Sequence, residues 1–168
     1  MRKGKRLTII GGIIIGVLAV SAVAVAASNS IKAKGITNVK VKTETVAYST
    51  ASTSWVSLPG ATFKMSVPAG KQRTFIAEFD GESHCSGISG SWCTVRILVD
   101  GTEMHPRAGS NFAFDSGGAD RWEGHAMTRT YGPLGPGQHT FKVQIAVANG
   151  ATSFGLDDWT FKVFKANA

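Results

Sequence analysis

Six side chains of this sequence have the chemistry of a metal or acid–base site: Glu82, His84, His105, His125, Asp157 and Asp158. Catalytic zinc needs three such ligands converging beside an open position. No His-x-x-x-His or His-Glu-x-x-His spacing occurs, so only tertiary folding could gather them. Asp115, Asp120, Asp157 and Asp158 offer the hard oxygen donors that calcium takes, but no Asp-rich loop motif frames them. Turn capping and bulge hydrogen bonds account for them more simply. Glycoside hydrolysis wants two facing carboxylates, for which Glu78, Glu82, Asp157 and Asp158 are available. Two adjacent aspartates on a strand, however, point to opposite faces. A Gly-x-Ser-x-Gly nucleophile elbow is absent. The expectation is no metal, no cofactor and no assigned catalytic residue. A secreted hydrolase, metal-assisted or two-carboxylate, working through Glu82, His84, His125 and Asp158, is the alternative.

The aromatic residues point to binding instead. Trp55, Trp92 and Trp122 stand among serines and glycines, outside any apolar alternation. An indole placed that way offers a flat face to sugar C–H groups or to a protein partner. With His84 and His125 they form the expected ligand-binding set, on loops around 83–93 and 105–124 at one end of the fold. The expected ligand is a polysaccharide or a surface protein. Trp159 sits in an alternating apolar run and is expected in the core.

Strands must carry these residues. Phe63, Met65 and Val67 alternate with Thr62, Lys64 and Ser66; Phe75, Ala77 and Phe79 with Thr74, Ile76 and Glu78, a mixed second face; Val95, Ile97 and Val99 with Thr94, Arg96 and Leu98; and most regularly Phe141, Val143, Ile145 and Val147 with Thr140, Lys142, Gln144 and Ala146. Period two sends one set of side chains to a core and the other to solvent. Val39 and Val41 alternate with Lys40 and Lys42 in the same way. Pro68-Ala69-Gly70, Asp80-Gly81, Asp100-Gly101 and Asn149-Gly150 read as turns, and the Gly132–Gly137 run as a rigid connection. Arg107–Gly124 reads as a long loop pinned by Phe112 and Phe114. Phe154 and Leu156 have the opposite parity to Trp159, Phe161 and Val163, which predicts a bulge or break at Asp157–Asp158.

The N-terminus sets the compartment. Arg2, Lys3, Lys5 and Arg6 precede an uncharged stretch from Leu7 to Ala27 that ends in small residues. This is the pattern of a secretory signal, cleaved after Ala27. The alternative is an uncleaved anchor, in which case residues 7–27 provide the only membrane contact. Residues 28–45 read as a Lys-rich linker and 46–168 as one β-sandwich domain. Eight of the 18 basic residues precede Thr45, against Glu44 alone, which leaves ten basic and ten acidic residues in the domain. A balanced domain lacks the basic stripe that nucleic acid requires. Cys85 and Cys93, the only cysteines, read as a structural disulfide in an exported chain. The expected location is secreted or on the extracytoplasmic surface, with the membrane-anchored form as its alternative.

The motifs Val-Pro-Ala-Gly (67–70), Phe-Asp-Gly-Glu-Ser-His-Cys (79–85), Trp-Cys-Thr-Val-Arg-Ile-Leu-Val-Asp-Gly (92–101), Gly-Gln-His-Thr-Phe (137–141) and Leu-Asp-Asp-Trp (156–159) together resemble small exported jelly-roll proteins of uncharacterised function. The resemblance spans about 60–168. It implies an all-β, antiparallel, jelly-roll-like sandwich and no catalytic residues; the apolar helix expected ahead of it rests on residues 7–27 alone.

Overall fold

The structure is a computed structural model that describes residues 30–118 and 121–168. The apolar segment 7–27, its cleavage point after Ala27 and Asp120 lie outside the described residues. Two antiparallel sheets stack face to face. The first runs β1 (Lys34–Glu44), β10 (Ala151–Asn167), β4 (Arg73–Gly87) and β8 (Glu123–Leu134), with β2 (Tyr48–Thr50) continuing along β10 where β1 leaves off. The second runs β3 (Val56–Val67), β9 (Gly137–Ala148), β5 (Trp92–Val99) and β6 (Thr102–Glu103), with β7 (Asp115–Ser116) also paired to β5.

The alternating apolar residues of β3, β4, β5, β9 and β10 meet between the sheets, as period two demands. On β1 the expectation fails: Val39 and Val41 are exposed, and Lys40 and Lys42 take the side toward the facing sheet. Phe63 stacks on Phe161 with ring centroids 5.1 Å apart, and Phe75 meets Phe141 at 4.8 Å. Burial of each such side chain contributes about 1.5–3 kcal/mol. Phe114 is buried and Phe112 packs on the core, so both pin the 107–118 loop.

The parity conflict in β10 is resolved where the sequence places it. Phe154 and Leu156 are buried, and so are Trp159, Phe161 and Val163. Between them the β10–β4 register shifts from Asp157 to Thr160, and Asp158 takes a positive φ of 43°. The Asp158 amide donates to Asp157 Oδ1 at 2.9 Å, so the irregular backbone stays hydrogen-bonded. The extra residue returns Trp159 to the core side.

Three further expectations need correction. Asp80-Gly81 is not a turn, because β4 runs through it from Arg73 to Gly87. Its glycine answers a close approach: a Cβ at position 81 would lie 2.9 Å from Trp159 Cβ and 3.1 Å from Trp159 Cα. The Lys-rich stretch is not a linker over its whole length, because Lys34–Glu44 is β1, paired along β10. Lys40, Lys42 and Lys165 reach across to the backbone carbonyls of Lys64, Gly60 and Ser66 on β3, the edge strand of the facing sheet. The lysines thus cap acceptors on an edge that would otherwise be open to pairing. Finally, the Gly132–Gly137 connection shortens to two residues, Gly135 and Pro136, between β8 and β9.

The disulfide joins Cys85 of β4 to Cys93 of β5 with a Cα–Cα separation of 5.7 Å, and so bridges the two sheets. Closing a loop this short removes unfolded-state entropy worth about 2.5 kcal/mol. At the other end, the Asp100–Gly101 turn is clamped to β9. Asp100 Oδ1 accepts from the Thr140 amide at 2.8 Å, and Oδ2 lies 2.6 Å from His139 Nδ1. His139 Nε2 faces the Gly135 carbonyl at 2.9 Å. Both ring nitrogens therefore face acceptors, which only the doubly protonated imidazolium can satisfy. Burial opposes the charge, but the hydrogen bonds to Asp100 and Gly135 and the Asp100 charge outweigh it, and the His139 pKa is raised.

Two outcomes follow. Gly81→Ala forces backbone apart at Trp159 and lowers stability by about 1–3 kcal/mol, whereas Gly124→Ala, with nothing within 4 Å of its Cβ, stays near wild type; urea denaturation compares them. The His139 contribution is complete below the unfolded pKa of about 6.5 and is lost as pH rises through the higher folded value. Wild type is therefore more stable at pH 5.5 than at pH 8 by a margin that His139→Gln removes, measured by denaturation at both pH values.

Candidate functional site

One end of the first sheet carries chemistry on both faces, and period two explains how. On β4, Ser83 turns inward and is fully buried, while His84 turns outward and is half-buried. Entering β8, Trp122 lies outward, whereas Glu123 and His125 follow the parity of buried Met127 and face inward.

On the outer face, Gly155 of β10 stands opposite His84 on one side and opposite Ser49 of β2 on the other. The Trp122 ring covers that glycine. A Cβ at position 155 would be 2.9 Å from Trp122 Cη2, so a side chain there would lift the indole. Trp122 is 47% exposed, and its ring centroid is 5.7 Å from that of His84. Together with Tyr48, Ser49 and Ser153 they line a pocket of about 250 Å³. An exposed indole face ringed by hydroxyl and imidazole groups supplies both stacking and hydrogen bonding.

On the inner face, Ser83 Oγ donates to Asp115 Oδ2 at 2.7 Å and lies 2.9 Å from His125 Nδ1. Asp115 Oδ1 accepts from the Ser116 amide at 2.6 Å. His125 Nε2 is 3.9 Å from Glu123 Oε2, and Arg121 Nε donates to Glu123 Oε1. The Phe114 ring, 5.7 Å from that of His125, backs the cluster with an apolar wall. One potential ligand atom from each of Asp115, Glu123 and His125 lies within 4.8 Å of the others, which makes these the residues able to hold a metal ion.

The remaining candidates are dispersed. Glu82 and Asp158 border a separate outer groove of about 390 Å³ beside Asp80 and Gly124. His125 also borders this groove, but the β4–β8 register pairs it with Gly81 while Glu82 pairs with Gly124, so the Glu82 and His125 side chains leave opposite faces. His84 belongs to the neighbouring pocket. The quartet Glu82, His84, His125 and Asp158 is therefore not one constellation. His105 bridges to Thr130 and stacks on Tyr131 at 6.0 Å.

Of the tryptophans, Trp122 alone joins His84. Trp92 Nε1 donates to the Ser110 carbonyl at 2.8 Å and ties down the 107–118 loop. Trp55 lies on the outer face of the opposite sheet under the Arg96 guanidinium, 4.2 Å from its ring centroid, and Arg96 itself is held by Gln144 Oε1. Sequence reasoning passed over Ser83 and Glu123. The Glu123-Gly124-His125 spacing carried a signal, since residues two apart on a strand share a face.

No protein-family model matches this chain, and no curated protein matches it.

Gly155→Val displaces the Trp122 ring and shifts its fluorescence to longer wavelength. The obstructing atom is the far end of a movable side chain, so the stability cost is below about 1 kcal/mol. Comparison with the Trp122→Phe background isolates the signal from the other three tryptophans.

Proposed function

We propose that this chain is an exported, jelly-roll-like β-sandwich that binds carbohydrate in the outer pocket around Trp122. The observation that carries this reading is the half-exposed Trp122 ring, seated on Gly155 beside His84, Tyr48, Ser49 and Ser153. Sugar rings present C–H faces to an indole and hydroxyls to surrounding polar groups, and the pocket supplies both. A protein partner would need roughly 800 Å² of surface on each side. A single ring over a 250 Å³ hollow suits a saccharide unit better.

The jelly-roll assignment draws on the strand order. The long strands β1, β3, β4, β5, β8, β9 and β10 give β1-β10-β4-β8 in one sheet and β3-β9-β5 in the other, with short β6 and β7 against β5. Crossovers between sheets with antiparallel pairing throughout are the features of that architecture. Export draws on the basic-then-apolar N-terminus and on the disulfide, which an oxidising compartment maintains. The charge balance of the domain favours a neutral ligand over nucleic acid.

The test is affinity electrophoresis and a glycan array with the purified protein, followed by titration of the strongest hit. Wild type is retarded by at least one polysaccharide, and Trp122→Ala weakens that interaction tenfold or more. Trp55→Ala, on the opposite sheet, leaves it unchanged. Absence of retention by every glycan, or retention indifferent to Trp122→Ala, overturns the reading.

A further inference from the structure

We propose that Asp115, Glu123 and His125 form a binding site for one divalent transition-metal ion, Zn²⁺ or a close relative, on the inner face behind the Trp122 pocket. Potential ligand atoms of the three residues lie within 4.8 Å of one another. They come from two sheets: Asp115 from β7, which pairs with β5, and Glu123 and His125 from β8.

The histidine is prepared for the role by its neighbour. Ser83 is fully buried, and its hydroxyl proton goes to Asp115 Oδ2, since a carboxylate can only accept. The Ser83 oxygen must then accept from His125 Nδ1–H across 2.9 Å. In the neutral imidazole this leaves the lone pair on Nε2, the atom 3.9 Å from Glu123 Oε2. A metal-binding imidazole characteristically has its second nitrogen fixed as a donor to a polar partner, which sets both tautomer and ring orientation.

Asp115 gives a second, independent indication. It is only 7% exposed, and among the described residues no lysine or arginine forms an ion pair with it. Buried carboxylates are ordinarily paired with a cation or coordinate a metal. Tetrahedral bonds of about 2.1 Å hold donors roughly 3.4 Å apart, so the cluster must close by up to about 1.4 Å. Glu123, with its side chain 40% exposed, has the freedom to make that movement. One imidazole and two carboxylates favour zinc, manganese or nickel over calcium, which prefers an all-oxygen shell. Three protein ligands also leave a position for water or a ligand atom.

The experiment is calorimetric titration of untagged, chelator-treated protein with Zn²⁺, with thermal unfolding followed in parallel. Wild type takes up one ion per chain and unfolds at a higher temperature with zinc. His125→Gln and Glu123→Gln each weaken uptake at least tenfold and abolish the thermal shift, whereas His84→Gln and His105→Gln behave as wild type. Glu123→Gln alters a half-exposed side chain, so retained circular dichroism shows that its loss of binding is not loss of fold. No saturable uptake of Zn²⁺, uptake insensitive to His125→Gln and Glu123→Gln, or uptake of Ca²⁺ alone each overturns the proposal. None of these outcomes depends on whether the outer pocket binds a glycan.

Discussion

The extra residue at Asp158 is the constraint on which the rest of the sandwich depends. β10 is the longest strand, and it pairs with β4 along one edge and with both β1 and β2 along the other. Seventeen residues of strict alternation could not bury Phe154 and Leu156 together with Trp159, Phe161 and Val163. A single positive-φ residue changes the phase and lets one strand serve the whole width of the core. The consequences spread to its neighbours. Trp159 presses on β4 where only a glycine fits, at Gly81, and its ring rests against Gly60 on the facing sheet. The partner along the outer edge breaks at the same level, between Glu44 of β1 and Tyr48 of β2.

That break creates the outer pocket. β2 brings Tyr48 and Ser49 alongside Gly155, and the absence of a side chain at Gly155 admits Trp122. The inner cluster is anchored differently, through the disulfide between β4 and β5. Ser83 lies two residues before Cys85, Asp115 pairs with Cys93 across β5 and β7, and the Phe114 amide donates to the Cys93 carbonyl at 2.9 Å. Without the bridge the two sheets could separate at the level where Ser83 and Asp115 meet. The disulfide therefore does more than reduce the entropy of the unfolded chain; it fixes the distance across which the Ser83–Asp115 hydrogen bond is made.

Period two made the fold legible, because a half-buried strand writes its orientation into every second residue. The buried sets at 63–67, 75–79, 95–99 and 141–147 are those read from alternation. The disulfide was readable as well, being the sole pairing of two cysteines. Asp80-Gly81 misled because a glycine required by a close crossing and a glycine required by a turn look alike in sequence. Only the position of Trp159, 78 residues later, distinguishes them. The lysines of β1 misled for a related reason. Their charge suggested solvation, and the alternation with Val39 and Val41 marked a strand but gave its faces in the wrong order, since the valines are exposed and the lysines reach β3.

The site was harder to read because its residues are selected by contacts across sheets. Trp55, Trp92 and Trp122 share a local polar context, yet one is stacked under Arg96, one ties down a loop, and one remains open. No local pattern records which indole finds a cation or a carbonyl. Likewise, the acidic and imidazole groups were sought as a set chosen for reactivity, which passed over the serine that links them. A hydroxyl both donates and accepts, so a buried Ser83 between His125 and Asp115 settles the direction of every hydrogen bond in the row. It converts a histidine of two equivalent tautomers into one with its lone pair at Nε2, beside Glu123. The identity of the inner site thus rests on the least reactive side chain in it.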